Sequence, residues 1–370
     1  MRKVGLALEG GGSRGAYHMG VAKAYLESGY QFDGFVGTSI GAINAAILAQ
    51  GDFQQALTLW ENITMEHLFH EVKLTKNVQK IMTDGGIDTS KIRAFVDKYI
   101  DEDKIRQSGK DFGLVTVSLD ERKPYEVFLE DIPYGKLTSY LMASATLPGF
   151  QLEKINEKKF IDGGVYNNCP INLLIEKGYD EIIAVRTDAP GIFRKFKESA
   201  NIKIISASAS LGNWLMFSPA QSKANIKLGY YDGLRTIHNL AGQRYYLKGT
   251  QQEASLLALN DDVILKVGML LGISELPAKR MLFEEIIPKL GKYLELKKDF
   301  NYSDFMMALL EYSADQKGIE RFVVYDLGEF CSLIKKTPLP KREKSMLNLI
   351  NIALQNKKTL AIEAIIDALD

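Results

Sequence analysis

VGTSIGA, residues 36–42, sets a serine between two glycines in the spacing G-x-S-x-G: Gly37, Ser39 and Gly41. The apolar run before it, FDGFVG (Phe32–Gly37), reads as a buried strand. Ile40–Gln50 after it reads as a helix of small residues closed by Gly51. A serine on a sharp strand-to-helix turn is held out from the backbone, and flanking glycines remove the side chains that would clash there. Its hydroxyl sits at a helix N-terminus, where the dipole favours developing negative charge. The stretch therefore predicts a nucleophilic serine. Without that chemistry it is a glycine-rich βα turn carrying an idle serine.

Upstream lies a second glycine turn, LEGGGSRGAYHMG (Leu8–Gly20), between a strand over Lys3–Leu8 and a helix over Gly15–Ser28. Two strand–turn–helix units in succession predict parallel βαβ architecture. Successive glycine N–H groups at a helix N-terminus form a concave donor site for an anion. That anion can be the oxyanion of a nucleophilic serine or a phosphate. Arg14 adds fixed positive charge and is read as a ligand of the anion, the alternative being a surface arginine capping a carbonyl. Gly10, Gly12 and Gly15 also satisfy the dinucleotide fingerprint G-x-G-x-x-G, with Asp33 standing about 20 residues on as the ribose-binding acid. A dinucleotide-binding oxidoreductase is thus a competing reading, although it gives Ser39 no role.

A nucleophilic serine needs a base. The chain has 4 histidines, His18, His67, His70 and His238. The order Ser39, Asp162, His238 formally fits a triad, but GLRTIHNLAGQRYYL around His238 reads as one continuous helix. FIDGGVYNN offers Asp162 instead. It follows an apolar strand, and Gly163 and Gly164 let its carboxylate approach another loop closely. A partly desolvated carboxylate can take the serine proton directly. Asp84, in the TDGG turn Thr83–Gly86, competes but follows a helical pattern.

These three elements, in order and at these separations, resemble the patatin-like phospholipase family. The family's G-G-G-x-R/K-G loop stands here as Gly10–Gly15, its G-x-S-x-G elbow as Gly37–Gly41, and its D-G-G/A motif as Asp162-Gly163-Gly164. ASATLPGF (Ala143–Phe150) is similar to the family segment before the aspartate. The resemblance covers about Lys3 to Gly249. It implies an α/β fold with a mainly parallel central sheet flanked by helices. It also implies a serine acyl hydrolase acting on lipid acyl esters, with Ser39 as nucleophile and Asp162 as general base of a Ser-Asp dyad that needs no histidine. The Gly11 and Gly12 N–H groups would stabilise the oxyanion, assisted by Arg14, and no cofactor or metal is implied.

The remaining features bound the class. Lys plus Arg number 46 and Asp plus Glu 46, so nucleic-acid binding has no electrostatic footprint. The 2 cysteines, Cys169 and Cys331, are far apart, which argues against a disulfide framework and for a reducing compartment. The first strand begins too near Met1 to leave room for a signal peptide, and no apolar stretch is long enough to span a bilayer. The expectation is a cytoplasmic protein that meets its lipid at a membrane surface. NWLMFSP (Asn213–Pro219) is read as core packing in preference to an acyl channel or a lipid contact. Helical periodicity dominates from about Glu253, giving a catalytic domain over 1–250 and an all-helical C-terminal extension over 251–370. A catalytically idle lipid-binding module is the third reading. The basic cluster Lys335–Lys344 reads as a solvated linker.

Overall fold

The computed structural model describes residues 2–70, 86–196, 200–249, 256, 258–273, 276–340 and 349–369, with the side chains of 349–355 excepted. Asp84, the domain boundary at residue 250 and Lys341–Lys344 lie outside the described residues. The chain divides into two compact units, Met1–His238 and Asn239–Asp370.

The first unit is built on a mixed, mostly parallel sheet. Strands β1 (Val4–Leu8), β2 (Gly34–Thr38), β3 (Asp111–Ser118), β7 (Glu181–Arg186) and β8 (Asn201–Ser206) run parallel in the order β3-β2-β1-β7-β8. Helices cover the sheet, so its central strands are buried from Gly5 to Leu8 in β1 and throughout β2, and read as apolar runs. Helix α1 (Ala16–Glu27) follows β1, α2 (Ile40–Ala49) follows β2, and α3 (Phe53–Asn62) comes next. All of α2 from Gly41 to Ala49 is buried, which explains its small and apolar residues on every face. Helix Pro219–His238 lies across α1. Its backbone comes so near that a Cβ on Gly20 would sit 2.0 Å from the Ile226 carbonyl oxygen.

The antiparallel strands decide the site. β4 (Lys123–Phe128) pairs with β3 along residues 113–118 and fills one edge. The opposite edge of β3 is shared. Residues 111–115 pair with β2, and residues 116–118 pair with β6 (Lys158–Asp162), which in turn pairs with β5 (Glu153–Ile155). β2 and β6 therefore meet head-on along β3: Thr38 stands opposite Val115, and Asp162 stands opposite Thr116.

Three local features are not plain in the sequence pattern. The β3–β4 turn is short, because Lys123 and Pro124 already pair with Ser118 and Val117. Pro124 is tolerated because β3 is the only strand paired with β4 in the described residues. β8, in which only Ile205 is buried, carries too weak a pattern to be read from sequence. The helix through His238 stops there, since Asn239 has φ 50°.

The second unit is a helical cluster packed around Phe305, Leu309, Leu310, Ile362 and Ile365. It is not all-helical. β9 (Tyr246–Lys248) and β10 (Val324–Asp326) pair in parallel, the latter inside the region read as helix. Lys317 and Glu363 form a buried ion pair at 2.7 Å between helices Tyr302–Gln316 and Leu349–Asp367, with Lys317 just past the end of the first. Among the described residues no helix is long and apolar enough to cross a membrane.

The contact between α1 and Pro219–His238 predicts that Gly20→Ala destabilises the protein by about 1–3 kcal/mol, the usual cost of overpacking. The check is a denaturant titration of wild type and variant.

Candidate active site

The carboxyl ends of β1 and β2 place the two glycine turns side by side. Ser39 follows β2 directly and has φ 57° and ψ −128°, an unfavourable conformation for a residue with a Cβ. The turn is tight because Gly37 lies against Gly41, where a Cβ on Gly37 would meet the Gly41 carbonyl at 2.2 Å. This is a strained strand–turn–helix elbow of the kind the spacing predicts. The Ser39 N–H donates to Ser144 Oγ at 2.9 Å, and the Ser39 carbonyl accepts from Ala42 N at 2.9 Å.

Asp162 reaches the same place from the other direction. It is 3% exposed, its Oδ1 accepts the Gly164 N–H at 2.7 Å, and its Oδ2 has no hydrogen-bond partner. Burial pushes its pKa up to about 6, while the Ser39 hydroxyl and the Gly164 N–H pull it down. The Ser39 side chain is thus close enough to act on the carboxylate, although no well-aligned bond reaches Oδ2. Such looseness is common in catalytic pairs without substrate.

The glycine loop after β1 faces the elbow. Gly12 adopts φ +53°, and a Cβ there would lie 2.1 Å from the Trp214 carbonyl. Gly10 packs against Asn168 and Ser39, Gly15 against Ile40 and Trp60, and Gly164 against Asn168. Among the described residues the Gly11 and Gly12 N–H groups donate to no protein acceptor, whereas those of Gly10, Ser13 and Arg14 are used by Asn168, Trp214 and Gly11 carbonyls.

Arg14 is held by main-chain carbonyls beside the glycine loop. Its Nε donates to Gly212 O at 3.0 Å, and its Nη1 donates to Thr187 O and Asp188 O at 3.1 and 2.9 Å. The arrangement seen is the carbonyl-capping one. It ties two loops, one after β7 and one before Trp214, to the glycine loop. Glu9, which sequence reasoning passed over, works beside it. Its buried carboxylate accepts Thr187 N and Asp188 N at 2.6 and 2.9 Å, and Thr187 Oγ1 donates to Gly10 O at 2.7 Å. Burial raises the Glu9 pKa against the opposing pull of Arg186.

Ser39 and Gly12 form part of the wall of an apolar pocket of about 780 Å³, measured with its open mouth. Ile43, Trp60, Phe95, Phe150, Trp214 and Phe217 line it. Trp60 stacks on Phe217 with ring centroids 6.1 Å apart. Trp214, Leu215 and Phe217 are therefore pocket wall, not simply the core packing read from sequence.

None of the four histidines lines this pocket. His18 is buried against Asn44, with its Nδ1 3.1 Å from Asn44 Nδ2, and burial pushes its pKa down to about 3. His67 accepts from Thr64 N, His70 lies near Asp88, and His238 is exposed at a helix end. Asp33 also stands apart. It accepts Val4 N at 2.8 Å, at the amino ends of β1 and β2, whereas the glycine loop is at the carboxyl ends. The fingerprint acid cannot meet a ribose there, and the dinucleotide reading loses its second element.

The model of the family described as patatin-like phospholipase matches residues 6–175. Residues 6–175 are thus similar to the patatin-like phospholipase family. This patatin-like segment contains all three glycine motifs, the elbow and Asp162. Patatin-like phospholipase domain-containing protein 6 of Homo sapiens is 29% identical over 189 residues, covering 49% of this chain and 13% of that protein. An uncharacterized NTE family protein of Mycobacterium tuberculosis is 30% identical over 188 residues, covering 50% of this chain and 30% of its own length. The chain thus spans less than a third of either relative. Among solved structures, VipD from Legionella pneumophila aligns with a TM-score of 0.45 and 13% identity, over 100% of this chain and 88% of that one.

The raised Asp162 pKa carries a stability consequence. The carboxyl binds its proton more tightly folded, at about 6, than at its ordinary 3.8. Its burial therefore opposes folding fully above about pH 6, and the penalty vanishes as pH falls below the ordinary value. Asp162→Asn should raise stability by about 3 kcal/mol at pH 8 and change it little near pH 3. Thermal melts at the two pH values check this.

Proposed function

We propose that the patatin-like unit is a serine acyl hydrolase that cleaves lipid acyl esters through a Ser39–Asp162 dyad. The observation that carries the reading is the meeting of elbow and base along β3, beside an apolar pocket and a pair of uncommitted glycine N–H groups.

The steps follow from the groups present. Ser39 Oγ attacks the ester carbonyl carbon as its proton passes to Asp162 Oδ2, the oxygen without a partner. The carbonyl oxygen, now negative, accepts from the Gly11 and Gly12 N–H groups; such donors supply about 2.7–4 kcal/mol of barrier lowering each. Collapse breaks the bond to the alcohol oxygen, which leaves with the proton held by Asp162. Water then attacks the acyl-enzyme, giving its proton to Asp162, and the acid departs as Ser39 regains a proton. Arg14 and Glu9 act by fixing the loop that carries the donors.

The pocket beside Ser39 suits an acyl chain, because it offers mainly apolar and aromatic walls. Exposed apolar residues on the loops tied to the site, Leu215, Met216, Val165 and Ile192, support contact with a lipid surface. Val165 follows the Asp162 turn, and Ile192 N donates to the Gly164 carbonyl at 2.8 Å. Among the described residues no cluster of three or more His, Cys, Asp or Glu could hold a metal ion, and the steps above use none.

Ser39→Ala and Asp162→Asn should each lower hydrolysis of a short-chain aryl ester by about 10³-fold or more. A fluorophosphonate should label Ser39 in the wild type. The base works ionised, so the wild-type rate should fall about tenfold per pH unit below about pH 6. Full activity in Ser39→Ala would sink the proposal. Lipid binding with neither turnover nor labelling would mark an idle lipid-binding module.

A further inference from the structure

The junction at which β2 gives way to β6 is bridged by a residue that the dyad chemistry leaves unused. Ser144 is fully buried at the end of helix Leu137–Ser144. Its Oγ accepts the Ser39 N–H at 2.9 Å and donates to the Val115 carbonyl at 2.6 Å. Val115 is the β3 residue opposite Thr38, the last of β2. The same carbonyl lies against the base turn, where a Cβ on Gly163 would stand 2.2 Å from it. Two residues beyond Ser144, the Thr146 carbonyl accepts the Asp162 N–H at 2.7 Å. One three-residue segment thus holds the backbone of the nucleophile by a hydroxyl and the backbone of the base by a carbonyl.

We propose that Ser144 is a positioning residue that sets the approach of Ser39 to Asp162. The inference rests on the Ser–Asp reading of the site. Only a small hydroxyl side chain meets the need, since it must accept from one main-chain group and donate to another in a fully buried space. Without it the Ser39 N–H is buried with no acceptor, and the unfavourable backbone at Ser39 loses the bond that fixes it. The elbow then relaxes, and Ser39 Oγ moves relative to the carboxylate. Ser144 touches no reacting atom, because its own proton is committed to Val115.

The test compares wild type, Ser144→Ala, Ser144→Cys and Ser144→Thr by the rate at which a fluorophosphonate labels Ser39 between pH 4 and pH 9. Only molecules that label at completion are counted, so unfolded protein does not enter the rate. Ser144→Ala should label about tenfold more slowly or worse, the scale of small misplacements of reacting groups. Its acid limb should move to higher pH, because Asp162 loses the hydroxyl that pulls its pKa down. Ser144→Cys, similar in shape but a weak donor and acceptor, should fall between, and Ser144→Thr should recover most of the rate. Rates and acid limbs equal to wild type in both Ser144→Ala and Ser144→Cys would overturn the inference while leaving the dyad standing. A wild type that never labels at Ser39 would overturn the dyad reading and this inference with it.

Discussion

One edge of β3 carries two strands in succession, and the chemistry of the site follows from that constraint. A strand edge offers one row of donors and acceptors, so the end of β2 fixes where β6 can begin. β2 runs to Thr38 and leaves the ladder through the elbow. β6 runs the opposite way and leaves at Asp162. The groups at the two ends face each other because neither strand can extend into the space of the other. The carbonyl left at the seam, on Val115, is taken by a side chain instead of a strand.

The elements around the seam convert that arrangement into a reactive environment. Burial removes water from Asp162 and raises its basicity. The glycine loop presents main-chain donors that need no side-chain ordering, and Arg14 and Glu9 hold the loop from behind through carbonyls and amides. Charge is thus spent on rigidity near the site, and the pocket itself remains apolar. This division suits a reaction in which negative charge develops briefly at one oxygen while the rest of the ligand is hydrocarbon.

What could be read from sequence was what is local. The elbow lies within seven consecutive residues, and the strand, turn and helix that define it are contiguous. The glycine loop is equally compact. Asp162 could be singled out by its strand and glycines, but its meeting with Ser39 depends on β3, a third segment remote from both. Ser144 lies within ASATLPGF, yet nothing local shows that its hydroxyl joins residues 39 and 115. The acceptors of Arg14 are illegible for the same reason, because they lie more than 170 positions away. Trp214 and Phe217 read as core in the sequence because the wall of an apolar pocket and the interior of a domain have the same composition. Pro124 sits within β4 because an edge strand accepts the proline that an inner strand refuses.

β6 joins β3 through only three residue pairs, and β5 joins β6 through three more. Short ladders at the margin of a sheet open at lower free energy than the strands at its centre. Fraying of that hairpin withdraws the carboxylate while β1, β2 and β3 stay intact. The proposed pair is therefore mounted with unequal firmness, the serine after a central strand of the sheet and the aspartate on a short marginal hairpin. Heat or mild denaturant should silence such a site before the fold itself gives way.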